Sequence, residues 1–333
     1  MGQFSCMKIL HEKNHLCQDN SWSYGQRRRR CFVCGKTWTV WKKRRGRKYS
    51  RPDKNLLRKI FVERESLSHL LAVRKKRITV SGASRRLNKA ITAVAGKNSQ
   101  GHFTGKQYIL IIDALWYRFQ KQRWTLYLVA ARTTKSKRAR FLSPVLLPGK
   151  ENLFDWQATV SQLPLGLKNR IVALVSDGWR GVERVTKDNN WILQRCHFHL
   201  ISQLQVNRGR WKKLPDQNFR EQIYQTARKL LTAKTSMDFY KEQLTKFINH
   251  HQCPKRLRII IHDYLRRLEY FRSYLKHPEL NIPTTTNCVE SMNKLIRKQC
   301  QHLNNPKALE RWSKTFLKFH STIMCNGSNH TQN

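Results

Sequence analysis

Two short apolar runs constrain this chain more than any other feature. Tyr108-Ile109-Leu110-Ile111-Ile112 leads directly into Asp113, and Ile171-Val172-Ala173-Leu174-Val175 is followed, after Ser176, by Asp177. Runs this short and rich in branched residues suit strands buried on both faces. Trp124-Thr125-Leu126-Tyr127-Leu128-Val129-Ala130 is a second strand in chain order. Phe141 to Leu147 is a third, ended by Pro148-Gly149, and Trp191-Ile192-Leu193 is a short last one. A helix is expected from about Leu153 to Leu163. Strands first, then strands alternating with helices, imply a mixed α/β sheet.

The two aspartates carry the chemistry. A carboxylate at the end of a buried strand is costly without compensation. Open α/β sheets place ligands at their strand ends. Oxygen ligands of this kind suit Mg²⁺ or Mn²⁺. Two such ions, about 3.5–4 Å apart, activate an attacking hydroxyl and stabilise the leaving 3′ oxygen of a phosphodiester. The competing reading is an ordinary aspartate at a strand-to-loop turn or, for Asp177, a helix N-cap.

Charge selects the partner. The chain has 333 residues, with 66 Lys plus Arg against 20 Asp plus Glu, a formal net charge of +46. A chain this basic repels itself unless a polyanion offsets the charge, so nucleic acid is the expected partner. A membrane surface would ask for an amphipathic basic helix or a lipid anchor, and neither is evident. The longest apolar runs fall well short of the roughly 20 residues needed to span a bilayer. No signal peptide is evident, so the reading is soluble and intracellular.

Around the strands, four regions are expected. Residues 1–50 are rich in Cys and Arg and close on Lys42-Lys43-Arg44-Arg45-Gly46-Arg47-Lys48. This basic run is read as a phosphate-binding arm through Arg44, Arg45, Arg47 and Lys48, with a solvated linker or a nuclear address as alternatives. Cys31-Phe32-Val33-Cys34-Gly35 has the shape of a zinc knuckle, since two thiolates three residues apart reach one tetrahedral ion. Cys17 is the natural third ligand, and the fourth is open among His15, His11 and Cys6. Two reduced core cysteines are the plainer alternative.

Residues 51–100 read as short helices, with a helix-turn-helix whose recognition helix begins near Thr79 and carries Arg85, Arg86 and Lys89 on its flank. A basic surface helix is the alternative. Residues 101–325 form the main domain. Within it, about 200–280 look wholly helical, with Leu200, Leu204, Ile223, Tyr224, Leu230, Phe239, Leu244, Phe247, Leu257, Ile261, Leu265 and Leu268 at helical spacing. Arg208, Arg210, Lys212, Lys213, Arg256, Arg258, Arg266 and Arg267 on this insertion are read as gripping DNA or as a solvated face. A last helical block runs from about Val289 to Thr322. Residues 326–333 are expected to form a loose tail.

Four elements, in order, resemble a known family. These are Ile111-Ile112-Asp113, then Val175-Ser176-Asp177-Gly178-Trp179, then Cys196-His197-Phe198-His199, and last Thr286-Asn287-Cys288-Val289-Glu290-Ser291-Met292-Asn293. Together they are similar to Mutator-like bacterial insertion-sequence transposases, over roughly residues 1–320. The resemblance implies a ribonuclease-H-like mixed sheet with an all-α insertion, preceded by a small zinc-ribbon-like segment and a helix-turn-helix. It assigns the third metal carboxylate to Glu290, giving the triad Asp113, Asp177 and Glu290. It makes Cys196 and His199 a motif supporting the active site or contacting DNA, although composition alone suggests half of a zinc site. Trp179 is either a core residue or a stacking platform for an unpaired base.

The activity implied is DDE transposition. Water cuts the strand at the transposon end, and the freed 3′ hydroxyl attacks target DNA, with no covalent protein–DNA intermediate. The implied cofactors are Mg²⁺ or Mn²⁺, with Zn²⁺ at the N-terminal cysteines. The implied partners are the terminal inverted repeats, target DNA and further copies of the chain, in a bacterial cytoplasm close to the nucleoid. The rivals are a catalytically inactive DNA-binding regulator derived from a transposase, a recombinase with a Tyr or Ser nucleophile, and a nuclease that cuts without joining.

Overall fold

The computed structural model describes residues 17–23, 26–31, 35, 37–40, 54–73, 79–96, 103–209 and 216–325. The chain divides into two compact units, Met1–Lys54 and Asn55–Asn333.

In the first unit, β1 (Cys17–Ser23), β2 (Gln26–Cys31) and β3 (Thr37–Val40) form an antiparallel sheet in the order β1-β2-β3. Sequence periodicity gave no sign of it, because β2 contains four consecutive arginines, Arg27–Arg30. The register pairs Cys17 directly with Cys31. Gly35 sits at φ +67, a conformation that favours glycine, just past the Cys31–Cys34 segment.

The second unit is built on one sheet. Strands β4 (Tyr108–Phe119), β5 (Gln122–Thr133), β6 (Arg138–Phe141), β7 (Val145–Pro148), β8 (Ile171–Ser176), β9 (Ile192–Arg195) and β10 (Thr322–Met324) form it. The order is β10-β6-β5-β4-β8-β9, with β7 on β5. β4, β5 and β6 are antiparallel neighbours, whereas β8 runs parallel to β4 and β9 parallel to β8. The expected single strand 141–147 is two short strands, because Leu142–Pro144 breaks the ladder and β6 and β7 meet different parts of β5. The expected last strand at 191–193 is displaced to Ile192–Arg195.

Helices cover both faces. After α1 (Lys54–Phe61), α2 (Leu67–Val73) and α3 (Val80–Ala95) come α4 (Leu153–Ser161), α5 (Leu165–Lys168) and α6 (Val182–Asp188). The insertion follows as α7 (His197–Arg208), α8 (Gln217–Thr232), α9 (Met237–Asn249), α10 (Lys255–Arg266), α11 (Leu268–Phe271) and α12 (Ser273–Lys276), closed by a 3-10 turn at Pro278–Leu280. The chain ends on α13 (Asn287–Cys300) and α14 (Pro306–Phe319) before β10. The final block is therefore two helices and an edge strand, and no single helix reaches Thr322.

Alternation along the strands divides the core. Ile109, Ile111, Leu115, Leu126, Leu128 and Ala130 face α13, α14 and the N-terminal helices. Leu110, Ile112, Tyr127 and Val129 face Trp156 and Val160 of α4 and Val182 and Val185 of α6. The insertion carries its own core, centred on Leu204, Ile223, Leu230, Leu244, Ile261 and Tyr264. Phe239, expected within it, is exposed instead.

The 55–96 helices are not a free-standing module. Phe61 is fully buried, with its ring 5.0 Å from Trp312 and 6.2 Å from Phe316 and stacked 6.0 Å from Phe319. An aromatic so placed is worth about 3–5 kcal/mol against alanine, enough to hold α1 to α14. Among the described residues, no helix is long and apolar enough to cross a membrane.

Candidate active site

Strand register brings the two aspartates together. Ile111 pairs with Val175 across the parallel β4–β8 ladder, so Asp113 and Asp177 each lie two residues beyond the same rung. Neighbouring strands are about 4.8 Å apart. Asp113 shares the face of Ile109 and Ile111, the face that α13 covers. There Asn293 Nδ2 donates to Asp113 Oδ2 at 2.5 Å, and the Ala114 N–H donates to Asp113 Oδ1 at 2.8 Å. Glu290 lies one helical turn before Asn293, so both project from the same side of α13 toward the strand ends.

The electrostatics match this placement. Burial, then the charges of Asp177 and Glu290, push the Asp113 carboxyl up to about 8, against the Ala114 hydrogen bond. Like charges held this close disfavour ionisation, and a cation would relieve them. The donors are carboxylate oxygens, which suits a hard divalent ion such as Mg²⁺ or Mn²⁺.

Glu290 is held by the Cys-x-x-His motif. Cys196 caps α7 and is fully buried, and His199 lies on the first turn of that helix. The Thr286 hydroxyl donates to Glu290 Oε1 at 2.5 Å, and the Thr286 N–H donates to Cys196 Sγ at 3.3 Å. The same hydroxyl lies 3.3 Å from Cys196 Sγ. Its single proton goes to the carboxylate, so the thiol supplies the proton between sulfur and hydroxyl. Burial pushes the Cys196 thiol up to about 11, which suits a donor. His199 Nδ1 lies 3.4 Å from Glu290 Oε1, without hydrogen-bond geometry. Ligand atoms of Cys196, His199 and Glu290 fall within 4.8 Å of one another. Glu290 thus supplies the third member that the motif lacks in sequence.

Behind Asp177 the chain turns sharply. Asp177 Oδ1 accepts from the Trp179 N–H and from Ser176 Oγ, both at 3.2 Å. Gly178 has φ +108, and its carbonyl accepts from Arg195 Nη2 at 2.6 Å. Arg195 is buried, spans to Asp263 Oδ2 of α10 at 3.3 Å and lies over the Phe271 ring. Burial and the neighbouring Arg267 lower its pKa to about 10. A Cβ on Gly178 would sit 2.2 Å from Arg195 Nη2, and that guanidinium is committed to hydrogen bonds and cannot swing away cheaply. Gly178→Ala is therefore expected to cost about 1–3 kcal/mol in backbone strain alone and to displace Asp177. A thermal melt and the divalent-metal affinity should both fall; an unchanged melt and affinity would refute the tight fit.

Arg195 and Glu151 had no sequence signal, and Thr286 and Asn293 stood in the Glu290 element without a role of their own. Glu151 Oε1 accepts from Trp156 Nε1 at 2.7 Å, and burial, then the charge of Asp177, raises its pKa. Trp179 is half-buried against the second core, its ring folded over Gly181. Arg85 and Arg86 are exposed on α3, where Arg85 bonds Ser81, and Lys89 is exposed as well. Arg44, Arg45, Arg47, Lys48 and Cys34 lie outside the described residues, as do Arg210, Lys212, Lys213 and the 326–333 tail. Cys31 is buried.

The insertion's arginines are less available than expected. Arg208 pairs with Glu221, Arg266 and Arg267 pair with Asp263, and Arg267 also pairs with Glu183. These contacts lock the insertion together and to α6, so the residues are not a free cationic face.

No curated protein matches this sequence. A solved structure that matches is the Drosophila P element transposase strand transfer complex, at 11% identity and a TM-score of 0.35, covering 79% of this chain and 97% of that chain. The family model for "Transposase, Mutator family" matches residues 78–319, a span holding Asp113 and Asp177, the Cys-x-x-His motif, the insertion and the Glu290 helix. The chain belongs to the Mutator family of transposases.

Proposed function

We propose that this protein is a DDE transposase that cuts DNA at transposon ends and joins the freed 3′ hydroxyl to target DNA, using Asp113, Asp177 and Glu290. The observation that carries this reading is the β4–β8 register, which sets Asp113 and Asp177 two residues beyond the same rung, on the face where α13 brings Asn293, one turn after Glu290, onto Asp113. Support for a ribonuclease-H-like core comes from the sheet, where three antiparallel strands, β6-β5-β4, continue into the parallel β8 and β9.

Each carboxylate is oriented by this chain's own groups. Asn293 and the Ala114 N–H fix Asp113, the Trp179 N–H and Ser176 fix Asp177, and Thr286 fixes Glu290 with Cys196 behind it. Asp113, Asp177 and Glu290 would hold a divalent ion, which would supply Lewis acidity for activating the attacking hydroxyl and stabilising the leaving 3′ oxygen. Two displacements at phosphorus follow, first by water at the transposon end and then by the 3′ hydroxyl at the target. No side chain bonds covalently to DNA. The zinc reading of the first unit is supported by the Cys17–Cys31 register, which sets the two backbones opposite each other next to the glycine turn. Paired ends call for at least two copies of the chain.

The test is incubation of a duplex carrying the element's end with protein and Mg²⁺ or Mn²⁺. Metal-dependent nicking, followed by joined products and no covalent protein–DNA adduct after denaturation, is the expected result. Tight binding with no cutting would favour the inactive regulator. An adduct would replace this mechanism with a Tyr or Ser recombinase, and cutting without joining would leave a nuclease.

A further inference from the structure

One cleft of the second unit lies away from the three carboxylates. It has a volume of about 1310 Å³ and opens between the β5–β6 turn, the loop joining α8 to α9, and the segment 278–284. Six of its lining residues are cations, Arg132, Lys135, Lys137, Lys234, Arg272 and Lys276, and none is a carboxylate.

These cations are not equivalent. Arg272 is buried and bonded to the carbonyls of Leu230 and Ala233, so it is a fixed charge in the wall. Arg132 is only 6% exposed; Nη2 reaches the Asn281 carbonyl, and its buried Nε has no partner among the described residues. Lys276 approaches Glu269 at 3.4 Å, outside the cleft lining. Lys135, Lys137 and Lys234 are exposed. A buried guanidinium with an open donor is costly unless an anion completes it. Arg208, Arg266 and Arg267 meet carboxylates elsewhere, whereas Lys135, Lys137 and Lys234 are exposed on a lining that holds none.

The cleft also communicates with the reaction centre. Arg132 pairs with Ile109 in the β4–β5 register, so it projects from the same sheet face as Asp113, four residues or about 13 Å along the strand. Segment 281–284 runs straight into Thr286 and Glu290, and the Thr284 carbonyl accepts from the His197 N–H.

We propose that this cleft binds the sugar–phosphate backbone of the DNA beside the reacting phosphate, with Arg132 as its buried anchor and Lys135, Lys137 and Lys234 as its rim. The inference rests on the DNA-processing reading above and adds a sequence-independent contact surface to it.

The test compares two full-length triple variants with wild type. One carries Lys135→Ala, Lys137→Ala and Lys234→Ala. The other carries Lys187→Ala, Lys241→Ala and Lys307→Ala, exposed lysines outside the cleft. Duplex affinity is measured as a function of salt on two unrelated sequences, and metal-dependent cleavage is measured on the same preparations. The cleft variant should lower the slope of log K against log salt by about 2.7, roughly 0.9 for each of three phosphates, equally on both sequences and with an unchanged melt. The control should keep the wild-type slope. An unchanged slope in the cleft variant, or an equal loss in the control, overturns the cleft alone while wild-type cutting still stands. Wild type that binds DNA with the expected slopes but never cuts overturns the catalytic reading and leaves the cleft supported.

Discussion

Asp113→Asn, Asp177→Asn and Glu290→Gln should each remove metal-dependent strand cleavage and leave DNA binding intact. Each change keeps the shape of the side chain and deletes a charge. Metal assistance contributes several kcal/mol of transition-state stabilisation. Losing about 4 kcal/mol of it lowers the rate roughly a thousandfold, at 1.36 kcal/mol per factor of ten. Binding should survive, because it draws on a net charge of +46, which each substitution raises by only one. Asn293→Ala is a subtler probe: it removes the donor to Asp113 while leaving all three acids in place. Supporting groups of this kind typically cost 10–100-fold. Single-turnover cleavage of an end-containing duplex measures all four variants. Near-wild-type cutting by any of the three acid variants would sink the triad.

Divalent-metal affinity should rise about tenfold per pH unit as pH approaches 8. Asp113 is held protonated up to about 8, by burial first and then by Asp177 and Glu290, while a ligating carboxylate must be ionised. Binding therefore releases one proton below that pH, and a hundredfold gain is expected between pH 6 and pH 8. The sign for stability runs the other way. The folded pKa is raised well above the ordinary aspartate range, so the metal-free protein keeps this contribution below about pH 4 and loses it as pH rises through 8. Added metal should reverse the loss. Titration calorimetry at pH 6, 7 and 8, in buffers of different ionisation enthalpy, reads the proton count. Affinity that is flat with pH, with no proton released, would show that Asp113 is not a ligand. Asp113→Asn should flatten the profile of whatever binding remains.

Much of the site was legible along the chain. The apolar runs at 108–112 and 171–175 gave β4 and β8, and Asp177 fell just past the end of β8, but Asp113 lies in the middle of β4, which runs on to Phe119 paired with β5, because the pairing partner and not the apolar run decides where a strand stops. The helical spacing of Leu200, Leu204, Ile223 and their successors gave the insertion. Less was legible where pairing partners decide structure. β2 forms from four arginines, β10 adds itself to β6, and the β4–β5 turn is Gln120-Lys121, both at positive φ without the usual glycine. A strand at an edge or in a small sheet is set by the neighbour it bonds, and local propensity speaks weakly there.

The sequence by itself determined the mixed α/β sheet, an aspartate just behind each of two buried apolar runs, and a charge so positive that a polyanion is the expected partner. It also put Glu290 and Asn293 one turn apart on a helix. The tertiary structure alone decided that this helix lies across β4, that Thr286 and Cys196 hold Glu290, and that Arg195 ties the Gly178 turn to the insertion. Periodicity reports which face of an element is buried. It says nothing of which distant segment covers that face, and here the covering segment lies 180 residues along the chain from Asp113.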